Sequence, residues 1–98
     1  MTSVTVVTIF EVSGESIDQV IALQDDCEDF IASRPGFVYA NFLRSQTGSD
    51  RYNIVSISEW ESRESFDAAF SRPELEELRA GHPTFKFHRG FYDIIRSA

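Results

Sequence analysis

Few residues in this chain are of a type that does chemistry, and their placing narrows what that chemistry would be. Arg79 follows Leu78 and comes four positions after Leu75, which puts it at the edge of a helix's apolar face. Two readings stand: a surface arginine paired with Glu76 or Glu77, or a guanidinium at a cavity mouth holding an anion such as a phenolate or enolate. Trp60, the only tryptophan, sits where a strand hands over to a helix. An indole there needs a roofed apolar site and one partner for its N–H. His82 and His88 stand six residues apart across a turn without a third ligand, so no metal site is expected. His82, before Pro83, reads first as a polar loop residue and second as a member of the site. Cys27 lies on a helix's apolar stripe as a small core residue. Gln24 beside it is either exposed or points its amide into a cavity. The chain has no Gly-rich phosphate loop, Cys-x-x-Cys, Gly-x-Ser-x-Gly or His-Glu-x-x-His. The expectation is therefore no metal, no flavin and no haem.

The elements that would position these residues follow from periodicity. Val4 to Val12 is β-branched and apolar on both parities, a strand covered on both faces. After Ser13-Gly14, Ser16-Ile17-Asp18-Gln19 has the spacing of a capping box, and a helix runs to about Arg34. Its stripe is Val20, Leu23, Cys27, Phe30 and Ile31, and its acidic residues mostly occupy the opposite, solvated face. Arg34-Pro35-Gly36 turns the chain into a strand from Phe37 to Ser45, with Phe37, Tyr39 and Leu43 facing one way and Val38, Ala40 and Phe42 the other. The polar loop Gln46 to Asp50 makes it a hairpin with the next strand. There Tyr52, Ile54, Ser56, Ser58 and Trp60 share a face.

At Trp60 the period changes. Glu61 and Ser62 can supply oxygens to the free N–H groups of a helix that brings Phe66 and Phe70 over the sheet. Pro73 starts a second short helix with Leu75 and Leu78 inward, and Gly81-His82-Pro83 stops it. Phe85 to Ile95 is the last strand. The order β-α-β-β-α-β is a ferredoxin-like α+β arrangement, a four-stranded antiparallel sheet with helices on one face. Large apolar groups on both strand parities leave the second face in want of a cover. A second copy, sheet against sheet, supplies it and makes a homodimer.

Composition bounds the rest. Ninety-eight residues make one domain, 1–98, and a chain of this size buries only roughly 60–65% of its unfolded surface. A formal charge of −7 argues against nucleic acid and anionic membranes. No run reaches the length of a membrane span, and the N-terminus lacks a signal peptide's basic opening. A single cysteine fits a reducing cytoplasm.

Pro35-Gly36-Phe37, the Trp60-Glu61-Ser62 turn followed by Phe66, and Glu77-Leu78-Arg79 carry a resemblance. The chain resembles the antibiotic biosynthesis monooxygenase family, small proteins of the dimeric α+β barrel fold, over nearly its whole length. Two branches can be compared. The quinone-forming branch oxidises aromatic polyketide anthrones with O2 and no metal or flavin. It carries Asn four residues before the tryptophan, Tyr six after it, and Arg after Glu-Leu. Trp60 and Arg79 match, while Ser56 and Phe66 stand at the Asn and Tyr positions. The haem-degrading branch uses an Asn, a Trp and a His where this chain has Thr8, Ala69 and Leu78. The resemblance therefore implies a cofactor-independent monooxygenase for a phenolic or anthrone-type polyketide intermediate. In it Trp60 and Arg79 are catalytic, and Thr8, Gln24, Ser56, Phe66, Phe70 and His82 line the substrate site. A non-oxidative cyclase or isomerase, and a non-catalytic dimeric ligand-binding protein, are the alternatives.

Overall fold

The computed structural model describes residues 3–48, 50–80 and 85–98. His82 lies outside the described residues. The elements are β1 (Val4–Glu11), α1 (Ile17–Ala32), β2 (Phe37–Arg44), β3 (Ile54–Trp60), α2 (Arg63–Phe70), α3 (Pro73–Arg79) and β4 (Lys86–Tyr92). The strands form one antiparallel sheet in the order β2-β3-β1-β4. This is the ferredoxin-like α+β fold, with the helices packed on one face.

Several ends differ from the sequence reading, each for a local reason. The Ser16–Gln19 capping box does not form. Ser16 is already in a helical conformation (φ −102°, ψ −3°) and makes no side-chain cap, because a turn closed by its N–H on the Ser13 carbonyl leads into α1. The cap at α2 does form: Ser62 is extended, and its Oγ accepts the Ser65 N–H at 3.1 Å. β3 starts at Ile54 rather than Tyr52, because Asn53 pairs by its side chain. Its amide accepts from the Val12 N–H (3.1 Å) and donates to the Val12 carbonyl (2.6 Å), imitating one more rung of the ladder. β4 ends at Tyr92, and Ile95 beyond it is 97% exposed.

A register shift between Phe37 and Tyr39 changes the reading of β2. Phe37 pairs with Trp60, and after the bulge Ala40 and Phe42 pair with Ser58 and Ser56. Phe37 therefore shares the covered face with Ala40 and Phe42 and is parted from Tyr39 and Leu43. The Pro-Gly-Phe turn before it needs its glycine: Gly36 has φ +87°, and a Cβ there would collide with the Ser65 side chain.

The core is split. On the sheet's covered face one apolar block holds Val4, Val6 and Trp60 under Phe66 and Ala69. Another holds Phe10, Val12 and Ile54 under Val20. Between them, one register row runs Phe42, Ser56, Thr8, Arg89 from β2 to β4. Three polar residues thus cross the middle of the sheet directly under the helices. The opposite face carries Val7, Ile9, Tyr39, Leu43, Val55 and Ile57, with Tyr39 and Leu43 39% and 45% exposed.

Candidate functional site at the polar row

Short polar side chains between two apolar blocks leave space above them. A cavity of about 50 Å³ lies there. Its floor is Val6, Thr8, Ser56 and Ser58, its cover is Gln24 and Cys27 of α1 with Leu75 and Arg79 of α3, and Phe66 and Phe70 form an aromatic wall. That wall is one unit: the two rings stack with centroids 4.1 Å apart and planes 21° apart.

Trp60 stands behind this wall. It is fully buried, meets Phe37, Phe66 and Phe70 edge to face at 5.4, 5.8 and 6.2 Å, and is absent from the cavity lining. Its N–H donates to Ser58 Oγ at 3.3 Å. The expected partner exists, and it is a floor residue of the cavity. Trp60 thus holds the aromatic wall and orients Ser58. Of the other expected site residues, Thr8, Gln24, Ser56, Phe66, Phe70 and Arg79 are brought together on the cavity, and His82 is the one outside the described residues. His88, not expected in the site, pairs with Ile9 on the sheet and is exposed.

Arg79 turns onto the cavity. Among the described residues the ion pairs are Arg51–Glu11, Arg63–Asp67 and Arg72–Glu74, so Arg79 takes neither Glu76 nor Glu77. Its guanidinium is close enough to Cys27 to act on it. Burial pushes the Cys27 thiol up from its ordinary value, and the Arg79 charge pulls it part of the way back.

A further cavity residue, Arg89, escaped the sequence reading. Its Nε donates to Thr8 Oγ1 at 3.0 Å, and its guanidinium carbon lies 4.9 Å from the Phe70 ring centroid and 5.4 Å from that of Phe66. Burial lowers its pKa, and the nearby Arg79 charge lowers it further. The signal was present: on the inward parity Phe85, Phe87, Arg89, Phe91, one charge stands in a run of phenylalanines. A cavity with a stacked aromatic wall, hydroxyls on its floor and two guanidiniums can hold a planar, electron-rich anion and favour its deprotonated form. No carboxylate lines it among the described residues, nor do three or more His, Cys, Asp or Glu gather there to hold a metal ion.

The sequence model for antibiotic biosynthesis monooxygenase matches residues 3–81. The chain belongs to that family. A search of curated proteins finds no sequence match. Among solved structures, SnoaB, a cofactor-independent oxygenase from Streptomyces nogalater, is 24% identical, with a TM-score of 0.83 over 99% of this chain and 97% of that one. Rv0793 from Mycobacterium tuberculosis is 18% identical, with a TM-score of 0.80 over 99% of each chain. A dimeric ferredoxin-like protein from Jannaschia sp. CCS1 is 13% identical, with a TM-score of 0.74 over 94% of this chain and 99% of that one. These likenesses are of fold. As a member of the family the chain is placed among monooxygenases, and no described helix is long and apolar enough to cross a membrane.

Proposed function

We propose that the chain is a monooxygenase that needs no metal, flavin or haem. On this reading it oxidises a phenolic or anthrone-type aromatic polyketide intermediate with O2 and works as a homodimer, as one domain, in the cytoplasm. The observation that carries the reading is Arg79: it leaves the glutamates beside it and faces a cavity walled by Phe66 and Phe70. The family and the oxygenase SnoaB of the same fold support it.

The chemistry asks little of the protein beyond binding. An anthrone loses one proton to give an enolate, whose negative charge Arg79 stabilises. The enolate passes one electron to O2, and the radical pair recombines to a C–OO⁻ bond. Protonation and loss of water, with removal of the second hydrogen from the same carbon, leave the new carbonyl. One oxygen atom stays in the quinone, the other leaves as water, and no outside reductant is needed. Phe66 and Phe70 hold the ring plane, Trp60 fixes that wall from behind, and Thr8, Ser56, Ser58 and Gln24 offer hydrogen bonds to the oxygenated edge. About 50 Å³ takes that edge and O2 but not three fused rings, since ligand pockets commonly measure roughly 300–1,000 Å³. The rest of the substrate extends beyond the cavity.

Oxygen uptake with a panel of anthrones tests the reading. Wild type is expected to consume O2, and Arg79→Ala to turn over about 10–150-fold more slowly, the loss of a charge-assisted contact worth roughly 1.5–3 kcal/mol. Chelators should leave the rate unchanged. Wild type inert towards every anthrone under air removes the oxygenase reading, and turnover under argon replaces it with a cyclase or isomerase. An Arg79→Ala rate equal to wild type removes Arg79 from the site.

A further inference from the structure

We infer that Arg89 is the principal charge of an oxyanion site in this cavity, built with Arg79 and Thr8, which selects an ionised aromatic ligand over its neutral isostere. The site would take the carboxylate or phenolate of a planar aromatic molecule.

Three observations carry it. Arg89 projects from the middle of β4 onto the sheet's covered face, in the same register row as Thr8 and Ser56. Among the described residues no carboxylate forms an ion pair with it, and its surroundings are the rings of Phe66, Phe70 and Phe87. The second cation that reaches the cavity, Arg79, repels it rather than balancing it. Arg89 is half-buried, and a partly desolvated charge without a counter-charge adds little to folding, so an apolar side chain of similar volume would serve the fold as well. An anion between the two guanidiniums removes both the repulsion and the imbalance.

The hydrogen bonding adds direction. With Nε spent on Thr8 Oγ1, Arg89 retains its two terminal nitrogens as a fork, the geometry that grips two oxygens of a carboxylate or the single oxygen of a phenolate. Thr8 accepts in that contact, so its own O–H remains to donate. The space admits only a few water-sized groups, which suits an oxyanion inside with its ring against Phe70 and the opening. The inference rests on the cavity being the ligand site and is independent of the oxygen chemistry.

The test is direct binding, by calorimetry under argon, of 2-naphthoate, naphthalene-2-carboxamide, 2-naphthol and inorganic phosphate. Wild type is expected to prefer the naphthoate over the neutral amide by about 10–150-fold, as for a charge-assisted contact. Its affinity for 2-naphthol should rise as pH passes through the naphthol's own ionisation if phenolates are taken as well. A flat naphthol profile restricts the site to carboxylates and leaves the assignment of Arg89 standing.

Arg89→Met should lose the preference while unfolding at the same or a higher temperature without ligand. Arg89→Lys should keep part of the preference, and Arg51→Met, a change in the surface pair with Glu11, should keep all of it. Equal binding of acid and amide by wild type, or an undiminished preference in Arg89→Met, overturns the inference. So does phosphate binding as tightly as naphthoate, which would describe an unselective anion site. Charge preference in a protein that never consumes O2 with anthrones leaves the inference standing and removes only the oxygenase reading.

Discussion

At the scale of single residues, the position of Trp60 and the work it does were legible to different degrees. The handover from strand to helix fixed its burial, and its isolated N–H demanded a partner. Nothing in residue order could show that Phe66 and Phe70 come between the indole and the cavity, because that depends on how α2 lies over β3. The consequence can be measured. Trp60→Ala is expected to cost on the order of 3–5 kcal/mol in urea unfolding, as a large ring is lost from a filled site. Trp60→Phe deletes the hydrogen bond to Ser58 and part of the wall's backing. It should therefore slow turnover less than Arg79→Ala while lowering stability more. The opposite ranking would put the indole back at the reacting centre. Arg89 shows a different failure. On the inward parity of β4 a single arginine interrupts the phenylalanines, and a charge at such a position is more informative than the rings around it.

At the scale of elements, α3 is the part of the cavity wall with least to hold it. It spans only Pro73–Arg79, begins on a proline without a side-chain cap, and has Leu75 as its one buried residue. A helix of two turns has little stability of its own and depends on what it packs against. Because the cavity holds only one edge of a polycyclic substrate, α3 is the wall that yields when the rings enter. Amide exchange in α3 is expected to be faster than in β1 or β3, and to slow when an aromatic acid binds. Exchange in α3 that is as slow as the central strands and indifferent to ligand would show a rigid wall. The elements themselves were largely legible, since a change of period from 2 to 3.6 needs no tertiary information. The caps were less so. Ser16-Ile17-Asp18-Gln19 has the right residues for a capping box, but the turn begun at Ser13 had already wound the chain, whereas Ser62 enters α2 from extended backbone and is free to cap.

At the scale of the whole molecule, the uncovered side of the sheet sets the expectation. Val7, Ile9, Tyr39, Leu43, Val55 and Ile57 form a surface more apolar than a free sheet face needs, and the two-sided strands of the sequence announced it. A second copy packed there should bury on the order of 1,600 Å² or more. Sedimentation at micromolar concentration is expected to show a dimer, and Leu43→Asp to shift it towards monomer by placing a charge in the apolar contact. A wild-type monomer under those conditions would sink the dimer and leave this face to some other cover.

The bulge in β2 makes the chain unequally sensitive to two kinds of genetic change. Between Phe37 and Tyr39 one residue is absorbed without a partner on β3, and that surplus residue lets Phe37 lie against Trp60 while Tyr39 faces outward. Val38, 47% exposed, should accept most substitutions with little effect. Deleting it leaves Phe37, Tyr39, Ala40 and Phe42 opposite Trp60, Glu59, Ser58 and Ser56 in plain alternation, so the pairing and the inner place of Phe37 survive. A residue gained between Ala40 and Phe42 is another matter. It would turn Phe37 and Ala40 to the outer face and take a ring neighbour from Trp60. In a lineage that carries this fold, loss of residue 38 should be tolerated while a one-residue gain within β2 is purged.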